Sequence, residues 1–248
     1  EEALAAGEAW LESQEDDWYR APALFMQGTL AIECAQATGH VTPAAERFRV
    51  AERCFAALDE DAFGPVWRLY ARLGRARLMT FQKGVEEQVP RAFESLRDAA
   101  EKTQFAGEVA QMAEAWLARW RVERGQAREL LAGLPRTRID GQDLPACLGA
   151  GWLGSPATPV LLNAIGEALC LQDGSAGPVA ALPFHLRVPR YYPAHHVEHA
   201  RALSLIARGL IAAGNTEDGQ AMRETLRARY PESRWAGPLP ARQRTPGD

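Results

Sequence analysis

Lysine, cysteine pairs and long apolar runs are scarce or missing in this chain, and each absence narrows its function. Of the 28 basic residues, only Lys83 and Lys102 are lysines and the rest are arginines, and the formal net charge is −4. Because neither end of the chain carries a dense basic patch, nucleic acid is not an expected partner. No apolar run approaches the ~20 residues that a membrane-spanning helix needs. The 47% hydrophobic content is that of an ordinary globular protein.

The four cysteines are Cys34, Cys54, Cys147 and Cys170, and none forms a C-x-x-C pair. A cysteine zinc site is therefore not indicated. Cys34 and Cys54 are predicted to lie on adjacent antiparallel helices, while Cys147 and Cys170 flank another connection. Two local disulfides are feasible in an oxidising compartment, and four buried thiols are the alternative, because cysteine is common in protein cores.

Signatures of catalysis are also sparse. No serine lies in a G-x-S-x-G elbow, and adjacent carboxylates such as Glu86 and Glu87 point to different faces of a helix. Residues 149–154 spell G-x-G-x-x-G, but a dinucleotide site needs a strand before that motif and a helix beginning inside it. Pro145 and Pro156 flank the motif here, which indicates a loop. We therefore expect no cofactor and no enzymatic activity.

The strongest positive signal is a spacing typical of packed helical hairpins. Ala44, Phe48 and Ala51 alternate small, aromatic and small side chains at intervals of four and three residues, and Gly39 precedes them as a turn residue. Small residues at this spacing let one helix pack closely against its predecessor. Stacks of such hairpins usually bind other molecules rather than catalyse reactions.

Helix start and stop signals recur along the whole chain. They predict an all-α fold of seven to nine helices in one domain spanning residues 1–248, with irregular Pro/Gly-rich insertions at about 133–158 and 173–194. The segments with helical signals are 2–13, 22–38, 42 to about 58, one opening at Gly64-Pro65, one opening at Pro90, 105–124, a short segment ending near Leu131, 159–172, 195–213 and 216–230.

These hairpins resemble degenerate tetratricopeptide (TPR) units, in which small residues lie where two helices cross. In the first hairpin, the family's turn glycine, alanine, aromatic and alanine correspond in register to Gly39, Ala44, Phe48 and Ala51. Ala207, Gly214 and Pro231 match its central small residue, turn glycine and terminal proline. The resemblance implies a helical-repeat architecture. Three positions of the last unit depart from the family pattern, namely Gly219, Arg223 and Leu226.

Two further resemblances point to the bacterial envelope. Residues 228–236 are similar to the "YP-x-S-x-(aromatic)-A" endings of envelope TPR proteins, and residues 159–169 resemble a helix of the T-component of TRAP-type transporters. They imply a periplasmic or outer-membrane-associated protein whose partner is a periplasmic binding protein or another envelope protein. The sequence begins at Glu1 rather than methionine, which fits either a removed signal or membrane anchor upstream or a shortened chain.

His195, Glu198 and His199 spell H-x-x-E-H, the inverzincin signature. Histidines four residues apart on a helix can share one zinc ion, and the glutamate can activate water. The candidates for a third ligand are Glu217, Glu224 and Glu232. The alternative interpretation is the polar start of an amphipathic helix, so we predict no metal site and keep a zinc hydrolase as a distant alternative.

Aromatic side chains are the better candidates for a binding site. Those on predicted helical stripes, including Phe81, Phe93 and Phe105, are expected mostly in the core, whereas those in the insertions need a pocket or line one. We expect binding of a hydrophobic small molecule or lipid, or, as the alternative, a TPR-type scaffold for protein–protein contacts. The predicted ligand-binding residues are Trp67, Tyr70, Trp116, Trp120, Trp152, Phe184, Tyr191 and Tyr192.

Overall fold

A computed structural model describes residues 6–7, 9, 17–37, 41–134, 136–139, 142–145, 152, 154–172, 177–231 and 233–237. In this part of the chain ten α-helices pack largely against their neighbours in sequence order, which confirms an all-α stack of helical hairpins. The helices are α1 (Asp17–Ala37), α2 (Val41–Leu58), α3 (Gly64–Met79), α4 (Gln88–Glu101), α5 (Gly107–Glu123), α6 (Ala127–Gly133), α7 (Thr158–Gln172), α8 (Gly177–Tyr191), α9 (His196–Ala212) and α10 (Thr216–Arg229).

The prediction of an irregular insertion at 173–194 is wrong over most of its length, because α8 occupies residues 177–191. Prolines at Pro183 and Pro189 suggested a loop, since proline removes a backbone donor and crowds the preceding turn. Burial of one apolar face overrides that local preference. The buried positions of α8 recur at helical spacing: Ala181, Phe184, His185 and Val188. The extra helix also raises the count above the predicted seven to nine.

The first insertion, at about 133–158, is also more regular than predicted. It contains a short antiparallel hairpin of β1 (Arg136–Ile139) and β2 (Gln142–Pro145), in which Ile139 pairs with Gln142. The intervening dipeptide Asp140-Gly141 is a strong hairpin signal. Nothing else in the described residues forms a strand.

Close helix packing at the N-terminal end centres on Phe55 of α2, which is fully buried between glycines of α1 and α3. A Cβ atom at Gly28 would come 2.6 Å from the Phe55 ring, and one at Gly74 would come 2.5 Å from its Cδ1 atom. Only glycine leaves room for the ring at both positions. Phe48, predicted as the aromatic of this hairpin, is half-buried and stacks on Phe81 at 5.3 Å, and Gly39 lies outside the described residues.

Phe105 does not belong to an apolar stripe, contrary to prediction. It precedes α5, its side chain is 87% exposed, and its φ is +65°. Phe93, in contrast, is buried in the main core.

The cysteines Cys34, Cys54 and Cys170 are thiols rather than disulfides, and Cys147 lies outside the described residues. Burial raises the pKa of the Cys170 thiol to about 11. No helix among the described residues has the length and apolarity needed to cross a membrane.

Candidate functional site

Charged side chains enter the centre of the helical stack from five of its helices, namely α1, α3, α5, α7 and α9. Arg77 of α3, Arg119 of α5 and Arg201 of α9 are each 2–3% exposed. A buried guanidinium is strongly destabilising unless carboxylates and hydrogen-bond acceptors surround it. We call these three arginines and their partners the buried ionic network.

Each arginine of this network has carboxylate neighbours. Arg119 donates to Glu198 at 2.5 Å and to Glu123 at 3.1 Å. Arg201 makes a bidentate pair with Glu167, at 2.7 and 2.6 Å. Such fork-to-fork pairs fix orientation as well as charge.

Arg77 has the loosest pairing, because the nearest Glu33 oxygen lies 3.9 Å from its Nη2 atom. Burial raises the pKa of the Glu33 carboxyl, and Arg77 opposes the shift. Burial therefore favours the neutral form of the Glu33 carboxyl.

A neutral amide and a neutral imidazole extend the network into α7 and α8. The amide nitrogen of Asn163 donates to the Glu198 carboxylate at 2.8 Å and to the Glu198 carbonyl at 3.0 Å. The Asn163 oxygen then faces Nδ1 of His185 at 3.2 Å, so Nδ1 carries the proton. Burial lowers the pKa of His185 to about 4. The ring lies directly over Gly166, where a Cβ atom would come 2.5 Å from its Nε2 atom.

The H-x-x-E-H residues take part in this packing. The carboxylate of Glu198 is held by Arg119 and Asn163, as described above. His199 is 2% exposed, and its Nδ1 atom lies 3.0 Å from the Tyr230 hydroxyl. His195 contacts the Tyr192 ring edge-on at 6.2 Å. The described residues contain no group of three or more His, Cys, Asp or Glu side chains that could hold a metal ion.

An apolar groove runs along α1. It has a volume of about 650 Å³ and ends at Glu33. Two of its apolar side chains, Tyr19 and Met26, are 57% and 70% exposed. Tyr19 and Glu33 are separated by about four helical turns, roughly 21 Å at ~1.5 Å per residue. The lining residues are Gly7, Tyr19, Pro22, Ala23, Met26, Gln27, Thr29, Leu30 and Glu33.

A second cavity of about 380 Å³, the end cavity, lies where the two ends of the helical stack face each other. Glu33 and Gln36 of α1 form one side, and residues of α9, α10 and the following segment form the other. Glu33 lines both this cavity and the apolar groove. The lining residues are Glu33, Gln36, His196, Val197, Ala200, Arg229, Tyr230, Pro231, Ser233, Arg234 and Trp235.

A third, smaller cavity of about 130 Å³ adjoins the end cavity, since Gln36 and Arg234 line both. We call it the tryptophan corner. Its lining is Gln36, Thr80, Phe81, Trp116, Arg119, Trp120, Glu123 and Arg234.

The structure brings together only some of the predicted aromatic ligand-binding residues. Trp116 and Trp120 share the tryptophan corner. Trp67 and Tyr70 pack together at 5.2 Å in the N-terminal core, and the Tyr70 hydroxyl donates to Glu108 at 2.8 Å.

The other four predicted residues lie apart from the three cavities. Phe184 is buried in the main core, and Trp152 and Tyr192 pack partly buried against it. Tyr191 is 60% exposed beside Arg190. None of the four lines a cavity described above.

Comparisons with known proteins give no match from which the role of the site could be inferred. No protein-family model matches the chain, and no significant match is found among curated proteins or solved structures.

The sequence interpretation missed the groove residues of α1 and every residue of the buried ionic network except Glu198. Asn163 was open to detection, because it interrupts the apolar run of residues 160–165. Pairing of Arg119 with Glu198 joins residues 79 positions apart, and no local pattern indicates it. Met26 carries no distinguishing signal, since an exposed methionine looks like a core residue in sequence.

Proposed function

We propose that this protein is a non-enzymatic, TPR-like helical protein that binds a hydrophobic small molecule or lipid and works with a periplasmic carrier in transport. The observation that carries the binding proposal is the junction of two cavities at Glu33. An apolar groove leads into an end cavity lined by arginine, tyrosine and histidine side chains. An amphipathic ligand has the same two parts, an apolar body and a polar head.

The apolar part of the site has the right size and surface. Pockets that bury small ligands typically measure about 300–1,000 Å³ and are mostly apolar, and the groove at about 650 Å³ lies within that range. Met26, 70% exposed within it, can adapt to ligands of different shape because its side chain is unbranched and polarisable. The envelope location and the carrier partner depend on the resemblances of residues 228–236 and 159–169.

Native mass spectrometry and thermal unfolding test the proposal. The purified protein should carry lipid, and saturating decanol should raise its melting temperature. At a ligand concentration of ~100 times Kd the stabilisation is about 2.7 kcal/mol, or roughly 5–10 °C for a chain of this size. Met26→Glu should reduce the shift, because it places a charge in the groove.

Leu171→Glu is the matched control, because Leu171 of α7 is 61% exposed and lines none of the three cavities. It should leave the shift unchanged. Absence of lipid and of any decanol shift would overturn the proposal. Capture of an extended peptide by the same groove, lost in Met26→Glu, would instead favour the scaffold alternative, which the open, ~21 Å length of the groove also accommodates.

A further inference from the structure

The tryptophan corner contains more hydrogen-bond donors than acceptors. Indole nitrogens are donors only, and neither Nε1 of Trp116 nor Nε1 of Trp120 has a hydrogen-bond partner among the described residues. Both side chains line the corner. An unsatisfied buried donor costs free energy and in native proteins calls for an explanation such as a bound molecule.

The corner also contains a cation whose charge is not balanced locally. In the part of the chain that the structure describes, no carboxylate lies within 4.0 Å of the Arg234 guanidinium, which packs 4.3 Å above the ring of Trp235. Desolvation and the positive charges of Arg119 and Arg201 lower the pKa of Arg234 to about 10. The arginine remains charged at neutral pH, and the opposing effects of Glu123 and Glu198 on its pKa are the smaller ones.

The carboxylate in the corner does not offset this excess. Glu123 accepts a hydrogen bond from Arg119 at 3.1 Å, and its same oxygen lies 3.6 Å from Arg201. Glu198, the other partner of Arg119, is held by Asn163 as well. The indole nitrogens of Trp116 and Trp120 and the guanidinium of Arg234 therefore belong to side chains that line the corner and have no acceptor of their own among the described residues.

We propose that the tryptophan corner binds the anionic head, a carboxylate or phosphate, of an amphipathic ligand whose apolar body lies in the end cavity and the apolar groove. The corner, at about 130 Å³, accommodates a group of this size, because one water molecule occupies about 30 Å³. Gln36 and Arg234 line both cavities, so a head in the corner connects directly to a body in the end cavity. This inference rests on the proposed function and adds the charge of the ligand to it.

Calorimetric titration with decanoate, decyl phosphate and neutral decanol at pH 7.5 tests the inference. The three probes share one chain length, so decanol reports on the apolar site alone. Charge-assisted hydrogen bonds are about twice as strong as neutral ones, and we expect at least one acidic probe to bind about tenfold or more tightly than decanol. The stronger of decanoate and decyl phosphate identifies the head group.

Two variants locate the effect. Arg234→Gln and Trp120→Phe should weaken the acidic probe about tenfold and several-fold, respectively, and should weaken decanol much less. Trp120 is buried, so its variant is also checked for folding by circular dichroism; Arg234 is exposed, and Arg234→Gln keeps the test valid if Trp120→Phe unfolds. Arg190→Gln is the control, because Arg190 also lies over an aromatic ring, that of Tyr191 at 5.3 Å, outside the three cavities.

Failure of the inference and failure of the proposed function give different results. Equal affinity for decanol and both acidic probes would overturn the anionic subsite and leave the apolar binding proposal standing. No binding of any probe would overturn both. An acidic preference that persists in Arg234→Gln would overturn the placement of the head group in the tryptophan corner.

Discussion

The two ends of this helical stack use the same packing device with opposite chemistry. Near the N-terminus a phenyl ring, Phe55, lies against Gly28 and Gly74, and its surroundings are apolar. Near the C-terminus an imidazole ring, His185, lies against Gly166 and hydrogen-bonds to Asn163.

In both places a glycine lets a ring approach a helix backbone. The apolar contact depends only on shape, whereas the polar contact also orients Asn163 and, through it, the carboxylate that holds Arg119.

The largest effect is expected from removing a carboxylate of the buried ionic network. Glu198→Ala leaves Arg119 buried with a single, half-exposed partner and deprives Asn163 of an acceptor. The free energy of unfolding should fall by about 3–5 kcal/mol, the usual cost of breaking a buried pair. Urea denaturation measures it.

The matched control is Glu94→Ala, which removes a partner of Arg121 at 3.2 Å near the surface. That change should cost less than about 1 kcal/mol. Similar losses in the two variants would mean that the network contributes no more than a surface ion pair.

The next effect compares the two ring-on-glycine contacts directly. Gly74→Ala forces a methyl group into the ring of Phe55 and should cost about 1–3 kcal/mol, as overpacked cores do. Gly166→Ala should cost about 1 kcal/mol more, because displacing His185 also breaks its hydrogen bond to Asn163. Thermal and urea unfolding of both variants provide the comparison.

Gly107→Ala controls for the substitution itself, since no atom lies within 4 Å of a Cβ atom placed there. Its effect should stay within about 0.5 kcal/mol. Equal losses of stability in Gly74→Ala and Gly166→Ala would show that the His185 hydrogen bond contributes nothing beyond the close packing of the ring.

The polar contact should also be sensitive to pH, unlike the apolar one. The pKa of His185 is about 4 when folded, below its ordinary value of 6.5, so the unfolded chain binds more protons between these values. Stability from this group is complete above pH 6.5 and is lost as the pH falls toward 4. From pH 7 to pH 5 the loss is about 2 kcal/mol.

Urea denaturation at the two pH values, in the wild type and in His185→Gln, measures this contribution. The variant should lack about 2 kcal/mol of the pH-dependent loss, while other titrating groups affect both proteins alike. An unchanged pH dependence in His185→Gln would show that the imidazole is not the neutral, buried group described here.

The smallest effect concerns a residue outside both contacts. Phe105 has a φ of +65° and an 87% exposed side chain, and a non-glycine residue in this conformation costs roughly 1–2 kcal/mol. Phe105→Gly should therefore raise the free energy of unfolding by about 1 kcal/mol. Phe105→Ala keeps the Cβ atom and should change little; a stabilisation equal to that of glycine would assign the effect to the exposed ring instead.

Local signals in the sequence predicted the helices well wherever a cap or a turn residue marks the end. Gly64-Pro65 opens α3, and helix α10 ends just before Pro231, as predicted. The prediction failed at α8, where prolines indicated a loop. These prolines lie away from the buried face of the helix, so tertiary burial outweighs their local cost. The departure at Gly219 is also tertiary: a Cβ atom there would come 3.0 Å from the carbonyl oxygen of Ala207.

The candidate site was less predictable than the fold. An aromatic stripe in the sequence identified Trp116 and Trp120 as candidates. The cavity that they line could not be predicted, because Gln36 and Arg234, which also line it, come from opposite ends of the chain. Glu198 was singled out as part of the H-x-x-E-H pattern, whereas in the structure its carboxylate accepts from Arg119 and Asn163. Its partner Arg119 belongs to a distant helix that only the fold brings close.

Photo-labelling shows where an amphipathic ligand lies between the two ends of the stack. A ten-carbon carboxylic acid with a diazirine at its chain end is bound and irradiated, and the labelled peptides are mapped by mass spectrometry. With the head in the tryptophan corner, the chain end should label residues of α1 at the Glu33 end of the groove, between 27 and 33, and Arg234→Gln should reduce the yield. Labelling confined to α6, α7 or α8, and unaffected by Arg234→Gln, would show that the ligand does not lie between the two ends of the stack.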